Sequence, residues 1–346
     1  MTGTAKRARW RCPSNIALVK YWGKRNFQKP MNPSLSFVLG NSFTETSVEL
    51  VKGSEHKVEF FFDGLANNFG ERIEKYLDHI SARLHWIDKF NFRIHSRNSF
   101  PHSAGIASSA SSFGALALCL TEIDFALSGK EMNGSDFLQK ASDLARMGSG
   151  SACRSVYPGF SIWGSTQLFE SCGDEFAIPL TEGIHPFFSG LRDAILLVDS
   201  GAKEVSSSAG HRLMDEHLYH RSRIAQAHEN INRLYLALLT GDRAKFIDVV
   251  ENEALSLHAM MMTSNPSFIL LKPNSLEIIS RIRRFRERSK IPVCFTIDAG
   301  PNIHLLYFQE HELDVKAFVE RELLVFCENG KWIDDQIGAG PERLKD

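Results

Sequence analysis

The chain has 346 residues, enough for two packed domains, and its 43 % hydrophobic and 23 % charged content is that of an ordinary soluble globular protein. A formal net charge of −1 removes any global reason to expect nucleic acid or a membrane surface as partner, so a ligand must be read from local chemistry. Six cysteines without a C-x-x-C pair offer no zinc framework and point to reduced thiols in the cytosol; no stretch reads as long enough to span a membrane, and the basic tip from Lys6 to Arg11 reads as a solvated arm.

From Cys12 to Lys24 an apolar run, expected to be a strand, ends in Lys20 and Lys24 flanking Tyr21, Trp22 and Gly23. Lysine is a point-charge binder of phosphate and an aromatic pair can wall a pocket, although a strand end with snorkelling lysines accounts for the same letters. Alternation over Asn32–Leu39, Thr44–Val51 and Lys57–Phe62, with a turn at Asp63–Gly64, predicts a meander. Apolar residues at helical spacing follow over Asn68–Trp86, then a strand over Phe90–Ser96.

That strand delivers the chain to its organising stretch, Asn98 to Leu120, where a loop of small and hydroxylated residues passes into an Ala/Leu-rich run. The pattern predicts the N-terminus of a buried helix, whose unpaired N–H groups and dipole would receive an anion, with Ser103, Ser108 and Ser109 as added donors. A serine-capped helix with nothing bound fits the stretch equally. A second helix over Ser135–Arg146 runs into Gly148-Ser-Gly-Ser-Ala-Cys-Arg-Ser155, where Arg154 can grip a carboxylate or phosphate; a flexible linker with one surface arginine is the plainer alternative.

Gly159–Gly164 reads as a strand, and the turn-rich segment from Glu170 to Gly190 marks a domain boundary, giving domains 1–185 and 186–346. The second half predicts a strand at Asp193–Val198, helices over His217–Thr240, Arg243–Met262 and Ser275–Ser289, strands at Pro292–Thr296 and Ile303–Phe308, and a helix over Asp314–Glu328. Asp298 lies in the Asp-Ala-Gly-Pro-Asn turn between those strands. His217 and His220 lack a third ligand in pattern and read as surface residues. The order is α+β without a repeat, and the tail Gly338–Arg343 shows no function.

No Walker loop, Rossmann glycine turn or G-x-S-x-G elbow is present. Three hydroxyl-rich loops, at Asn98–Ser109, Gly148–Ser155 and Lys203–Gly210, with the cations Lys20, Lys24 and Arg154 and one aspartate at a strand end, suit a heavily phosphorylated substrate. Pro101-x-x-x-Gly105-Ile-x-Ser108-Ser109-Ala110 resembles the phosphate loop of the GHMP small-molecule kinases. Asn15-Ile-Ala-Leu-Val-Lys-Tyr-Trp-Gly-Lys24, Gly148–Ser155 and Asp298–Asn302 are similar to motifs of the diphosphomevalonate decarboxylase family, spread from the first strand to about Phe308.

The resemblance implies the α+β GHMP kinase fold, with a half like ribosomal protein S5 domain 2, a ferredoxin-like half and the active site between them. It implies ATP-dependent decarboxylation of (R)-5-diphosphomevalonate in the mevalonate pathway, with ATP and Mg²⁺, in a cytoplasmic homodimer. By the same resemblance Asp298 orients or deprotonates the 3-hydroxyl, Lys20 keeps it ionised and Arg154 holds the substrate carboxylate. Substrate-binding positions are Tyr21, Trp22, Gly23, Lys24, Ser149, Gly150, Ser151, Ala152, Cys153, Arg154 and Ser208; ATP-binding positions are Ser103, Gly105, Ser108 and Ser109, with Ser109 on the metal.

Two departures bear on the substrate. The loop has Pro101-His-Ser-Ala-Gly where the eukaryotic pattern is Pro-Thr-Ala-Ala-Gly, and an arginine expected after the third strand is missing from Lys57 to Gly64. A 5-phosphomevalonate decarboxylase or a 3-kinase is the rival enzyme, and a non-catalytic nucleotide-binding relative is the rival of another class.

Overall fold

The computed structural model describes residues 7–52, 57–66, 69–101, 106–132, 134–199, 201 and 207–345, the side chains of Ser207 and Ser208 excepted. The strands β1 (Arg7–Val19), β2 (Ser34–Val51), β3 (Val58–Phe62) and β4 (Leu65–Ala66), the helix α1 (Gly70–Ile80) and β5 (Asn91–Asn98) open the chain. Then come the helices α2 (Ser108–Ser128) and α3 (Ser135–Gly148) and the strands β6 (Phe160–Trp163) and β7 (Ile178–Leu180). These strands form one sheet in the order β1-β2-β5-β3-β4, with β6 pairing β2 and β7 pairing β6.

The expected meander does not form. The segments expected at Asn32–Leu39 and Thr44–Val51 belong to a single 18-residue strand, β2, and β5 inserts between β2 and β3, pairing β3 in parallel. A parallel pair needs a crossover, and α1 supplies it by burying Ile73, Tyr76, Leu77 and Ile80. Arg9 and Arg11 are likewise part of β1 rather than of an arm, and both pair with Glu45 on β2.

The core helix α2 is apolar on nearly every side because its flanks are covered by β1, β2 and α3. It is the one helix among the described residues long and apolar enough to cross a membrane, contrary to the sequence expectation, and 83 % of its most apolar window is buried inside the protein.

The second half contains β8 (Leu191–Leu196), α4 (Ser207–Arg212), α5 (His220–Thr240), α6 (Arg243–Met262), α7 (Pro273–Ser289), β9 (Cys294–Thr296), β10 (Ile303–Phe308), α8 (Glu312–Phe318) and β11 (Trp332–Gln336). Its sheet runs β11-β8-β10-β9, antiparallel throughout. Ile16, Leu35 and Phe37 of the first sheet share one apolar core with Ile195, Ile231, Leu234, Phe246 and Phe308 of the second half, so the halves meet through packed side chains.

The tail then returns. The Gly338 N–H donates to Val38 O at 2.8 Å, and β12 (Glu342–Arg343) pairs antiparallel with β1. A side chain at Gly338 would place its Cβ 2.3 Å from Leu39 O, so the close crossing requires glycine. Arg343 and the Trp10 indole N–H both bind the buried carboxylate of Glu122.

Candidate active site

β1 carries the site's first wall, and its ladder with β2 shifts register at Pro13/Asn15 and again at Ala17/Val19. Proline cannot donate to a ladder, and such irregularities re-aim the strand end beyond them. Lys20 follows directly. Its side chain is 2 % exposed and Nζ lies 2.8 Å from Oδ1 of Asp298, which stands just past β9 in the other half. Asp298 retains 27 % exposure, so the pair is closed on the lysine side and open on the carboxylate side.

Arg154 sits in the 3-10 turn Gly150–Arg154, buried to 2 % exposure. Its Nε donates to Asn15 Oδ1 at 3.2 Å, Nη1 donates to the Ser34 hydroxyl, and Nη2 has no hydrogen-bond partner among the described residues. Burial lowers the guanidinium pKa, while the nearby charges of Cys153, Asp298 and Tyr21 oppose that shift. Lys20 and Asp298 are thus in contact, and Arg154 lies near enough to feel the charge of Asp298. Asn15 also binds Ser151 O and the Ser155 hydroxyl, which anchors the glycine–serine turn to β1.

Tyr21 packs edge-on to Trp163 and tilts over His211 at 4.3 Å, and Trp22 also contacts that imidazole at 4.8 Å. Gly23 has φ +87°, and a Cβ there would stand 2.6 Å from Met31 Sδ; its N–H donates to His211 Nδ1 at 3.0 Å. Nδ1 is thus an acceptor and Nε2 carries the hydrogen. Burial, then Lys24 and Arg154, pull the His211 pKa down to about 3, so the ring is a neutral donor.

The Lys24 ammonium donates to Gln28 Oε1 at 2.9 Å, and its pKa is lowered by burial and then by the charges of Arg212 and Arg72. Three cations from the loop after β1, α1 and α4 thus crowd one region. Arg72 stacks on Phe69 and Phe113 and reaches no carboxylate among the described residues. Arg72 thus adds a cation beside Lys24 one element after the stretch, Lys57–Gly64, in which the expected arginine is missing. Its apolar neighbours at helical spacing disguise it in sequence as an ordinary exposed helix residue.

α2 begins at Ser108 with no side chain capping it, and Ser109 Oγ lies 3.3 Å from Ser149 Oγ, joining the helix start to the glycine–serine turn. Beside it opens a cavity of about 500 Å³ lined by Phe60, Phe69, Arg72, Asn98, Ser108 and Ser109. Ala152 and Cys153 are fully buried, so neither presents a side chain to a ligand. Gly150 lies against the Tyr21 hydroxyl. Ser103, Gly105 and the side chain of Ser208 fall outside the described residues. Among those described, no cluster of three His, Cys, Asp or Glu side chains could hold a metal, and His217 is buried on Met260 O rather than exposed.

Two α+β halves, with a helix N-terminus on one wall and the Lys20–Asp298 pair joining one half to the other, have the architecture of an enzyme of the GHMP kinase superfamily. Residues 12–173 match the diphosphomevalonate decarboxylase-like N-terminal domain family, and residues 194–339 match the mevalonate 5-diphosphate decarboxylase C-terminal domain family. The diphosphomevalonate decarboxylase of Ganoderma lucidum is 30 % identical over 90 % of this chain and 82 % of its own length. The phosphomevalonate decarboxylase of Haloferax volcanii is 29 % identical over 85 % and 86 %.

Among solved structures, mevalonate diphosphate decarboxylase from Staphylococcus aureus superposes with a TM-score of 0.85, 30 % identity and 98 % coverage of both chains. A structure described as MDDEF in complex with MVAPP, AMPPCP and magnesium gives 0.83, 28 % and 99 % of both. This chain belongs to the diphosphomevalonate decarboxylase family.

Proposed function

We propose that the protein is an ATP-dependent decarboxylase converting (R)-5-diphosphomevalonate to isopentenyl diphosphate, ADP, phosphate and carbon dioxide. The observation that carries the reading is the 2.8 Å Lys20–Asp298 pair beside buried Arg154. Asp298 takes the proton of the substrate 3-hydroxyl as its oxygen bonds to the γ-phosphorus of ATP, and the bond to the β-phosphate oxygen breaks. Lys20 offsets the charge on the transferring group. The C–O bond to the new phosphate then breaks, the carboxylate leaves as carbon dioxide, and the electrons of its C–C bond form the alkene. Arg154 Nη2 orients that carboxylate until it departs.

Lys24, Arg72 and Arg212, with the Nε2–H of His211, form the grip for the phosphates of mevalonate, assisted by Ser149, Gly150 and Ser151. Three mutually repelling cations favour the diphosphate over the monophosphate. The 500 Å³ cavity is the place for adenosine, being apolar, aromatic and adjacent to Ser108 and Ser109. Hydroxyl oxygens suit a hard cation, so Ser109 is the magnesium contact. Bound there, magnesium would supply charge neutralisation to the ATP phosphates. We place the domain boundary at residues 185/186, ahead of β8, and infer a cytoplasmic homodimer from the family resemblance.

The test is release of ADP and carbon dioxide with Mg-ATP and either 5-diphosphomevalonate or 5-phosphomevalonate. Equal yields of both products, with the diphosphate preferred, are expected. ADP without carbon dioxide would make the protein a 3-kinase, preference for the monophosphate would change the substrate, and neither product would end the catalytic reading.

A further inference from the structure

The reacting pair is drawn from two halves of the chain, yet both of its members are tied to a single helix. On the first side Lys20 has just left the β1 ladder, and its N–H donates to Glu253 Oε2 at 2.8 Å. Its carbonyl accepts from Asn32 Nδ2 at 2.9 Å and from Arg223 Nη2 at 3.2 Å. Glu253 is fully buried, held by a two-pronged pair with Arg223 at 2.8 and 2.6 Å and by Asn230 at 2.7 Å. A buried ion pair is a weak source of net stability, but it fixes a donor and an acceptor in place, here on the backbone of one residue.

On the second side Asp298 lies in a turn whose carbonyl accepts from Gly300 N–H at 2.7 Å and from His258 Nε2 at 3.1 Å. A carbonyl can only accept, so the imidazole carries its hydrogen on Nε2. His258 is 2 % exposed, and burial keeps it neutral with a pKa lowered to about 4. Glu253 and His258 both stand on α6, which packs against β1 and β9 at once. A continuous α-helix between the two contacts cannot stretch, so their separation along the axis is constant.

We propose that α6 sets the spacing of the Lys20–Asp298 pair, with His258 and Glu253 as positioning residues that hold base and cation at reacting distance before substrate arrives. Displacement of a reacting group by an ångström lowers a rate far more than it lowers affinity, because ground-state contacts to substrate lie elsewhere. The inference rests on the reading of Lys20 and Asp298 as the reacting pair.

The test compares His258→Leu, which removes the donor, with His258→Gln, whose amide N–H reaches about as far as Nε2. His258→Leu is expected to lower kcat by about tenfold while KM for ATP and for 5-diphosphomevalonate stays within about threefold and Tm is retained; His258→Gln is expected to recover most of kcat. Normal kcat in His258→Leu, or equal impairment of both variants, would overturn the proposal. Nitrogen NMR of the wild-type imidazole gives a second reading that needs no variant to fold. A neutral Nε2–H form at pH 7 is expected, and an Nδ1–H form would refute the contact. Asp298→Asn assayed in parallel separates the layers: if it keeps turnover, the reading of the pair and this inference fall together. If it is dead while His258→Leu is unimpaired, the inference alone falls.

Discussion

The two ends of the cleft are built on opposite electrostatic plans. At the reacting end, Lys20 is matched by Asp298, Asp298 is anchored through its carbonyl, and the Lys20 backbone is bonded at both its N–H and its C=O. At the proposed phosphate end, the charges of Arg212 and Arg72 add to burial in lowering the Lys24 pKa, and neither Arg72 nor Arg212 meets a carboxylate among the described residues. The first arrangement fixes geometry ahead of binding; the second stores repulsion that a polyanion relieves. Rate and affinity are therefore expected to separate by location.

Asp298→Asn is the most severe way to test that separation. It should reduce phosphoryl transfer by about 10³-fold while Mg-ATP binding, followed by calorimetry, stays near wild type. Loss of nucleotide binding in step with rate would mean the reacting end is no more specialised than the other. Arg72→Ala should do the converse, raising KM for 5-diphosphomevalonate by about tenfold with little change in kcat, and with a smaller penalty for the monophosphate. Equal penalties for the two substrates would remove Arg72 from the phosphate grip.

The smallest effect concerns the two buried imidazoles, one at each end. His211 and His258 are held neutral, with values near 3 and 4 against an ordinary 6.5. The unfolded chain takes up protons as pH falls through 6.5 while the folded chain does not, so this contribution to stability is full above 6.5 and is lost towards pH 4. Each histidine removes about 1.4 kcal/mol per pH unit in that window. Thermal melts at pH 7.5 and 5.5 should show the drop, and His258→Gln should reduce it. An unchanged difference would show that His258 does not titrate between these states.

What could be read from sequence followed the same division. Lys20, Asp298 and Arg154 were singled out by the resemblance of the runs around them to family motifs, and the structure brings Lys20 and Asp298 into direct contact. Arg72, His211, Glu253 and His258 are single letters in ordinary helices, and their importance arises from elements far away in the chain. α6 was placed with its bounds intact because Phe246, Val249, Val250, Ala254, Leu257 and Met261 recur at helical spacing. The meander failed because alternation marks a strand but does not name its neighbour. The last two strands escaped notice for a related reason: the letters of β11, Trp-Ile-Asp-Asp-Gln, do not alternate apolar with polar, and β12 has only two residues.

Those two short strands alter the mechanics of the whole. The chain passes from the first sheet to the second ahead of β8 and comes back between β11 and β12, where Gly338 lies against Val38 and Leu39. A plate fixed along one edge swings like a door; a plate fixed along two edges can only slide or flex. The halves of this enzyme are joined in the second manner. A cut in the peptide near Gly338 would remove one of the two covalent passages between the sheets and leave their shared apolar core in place.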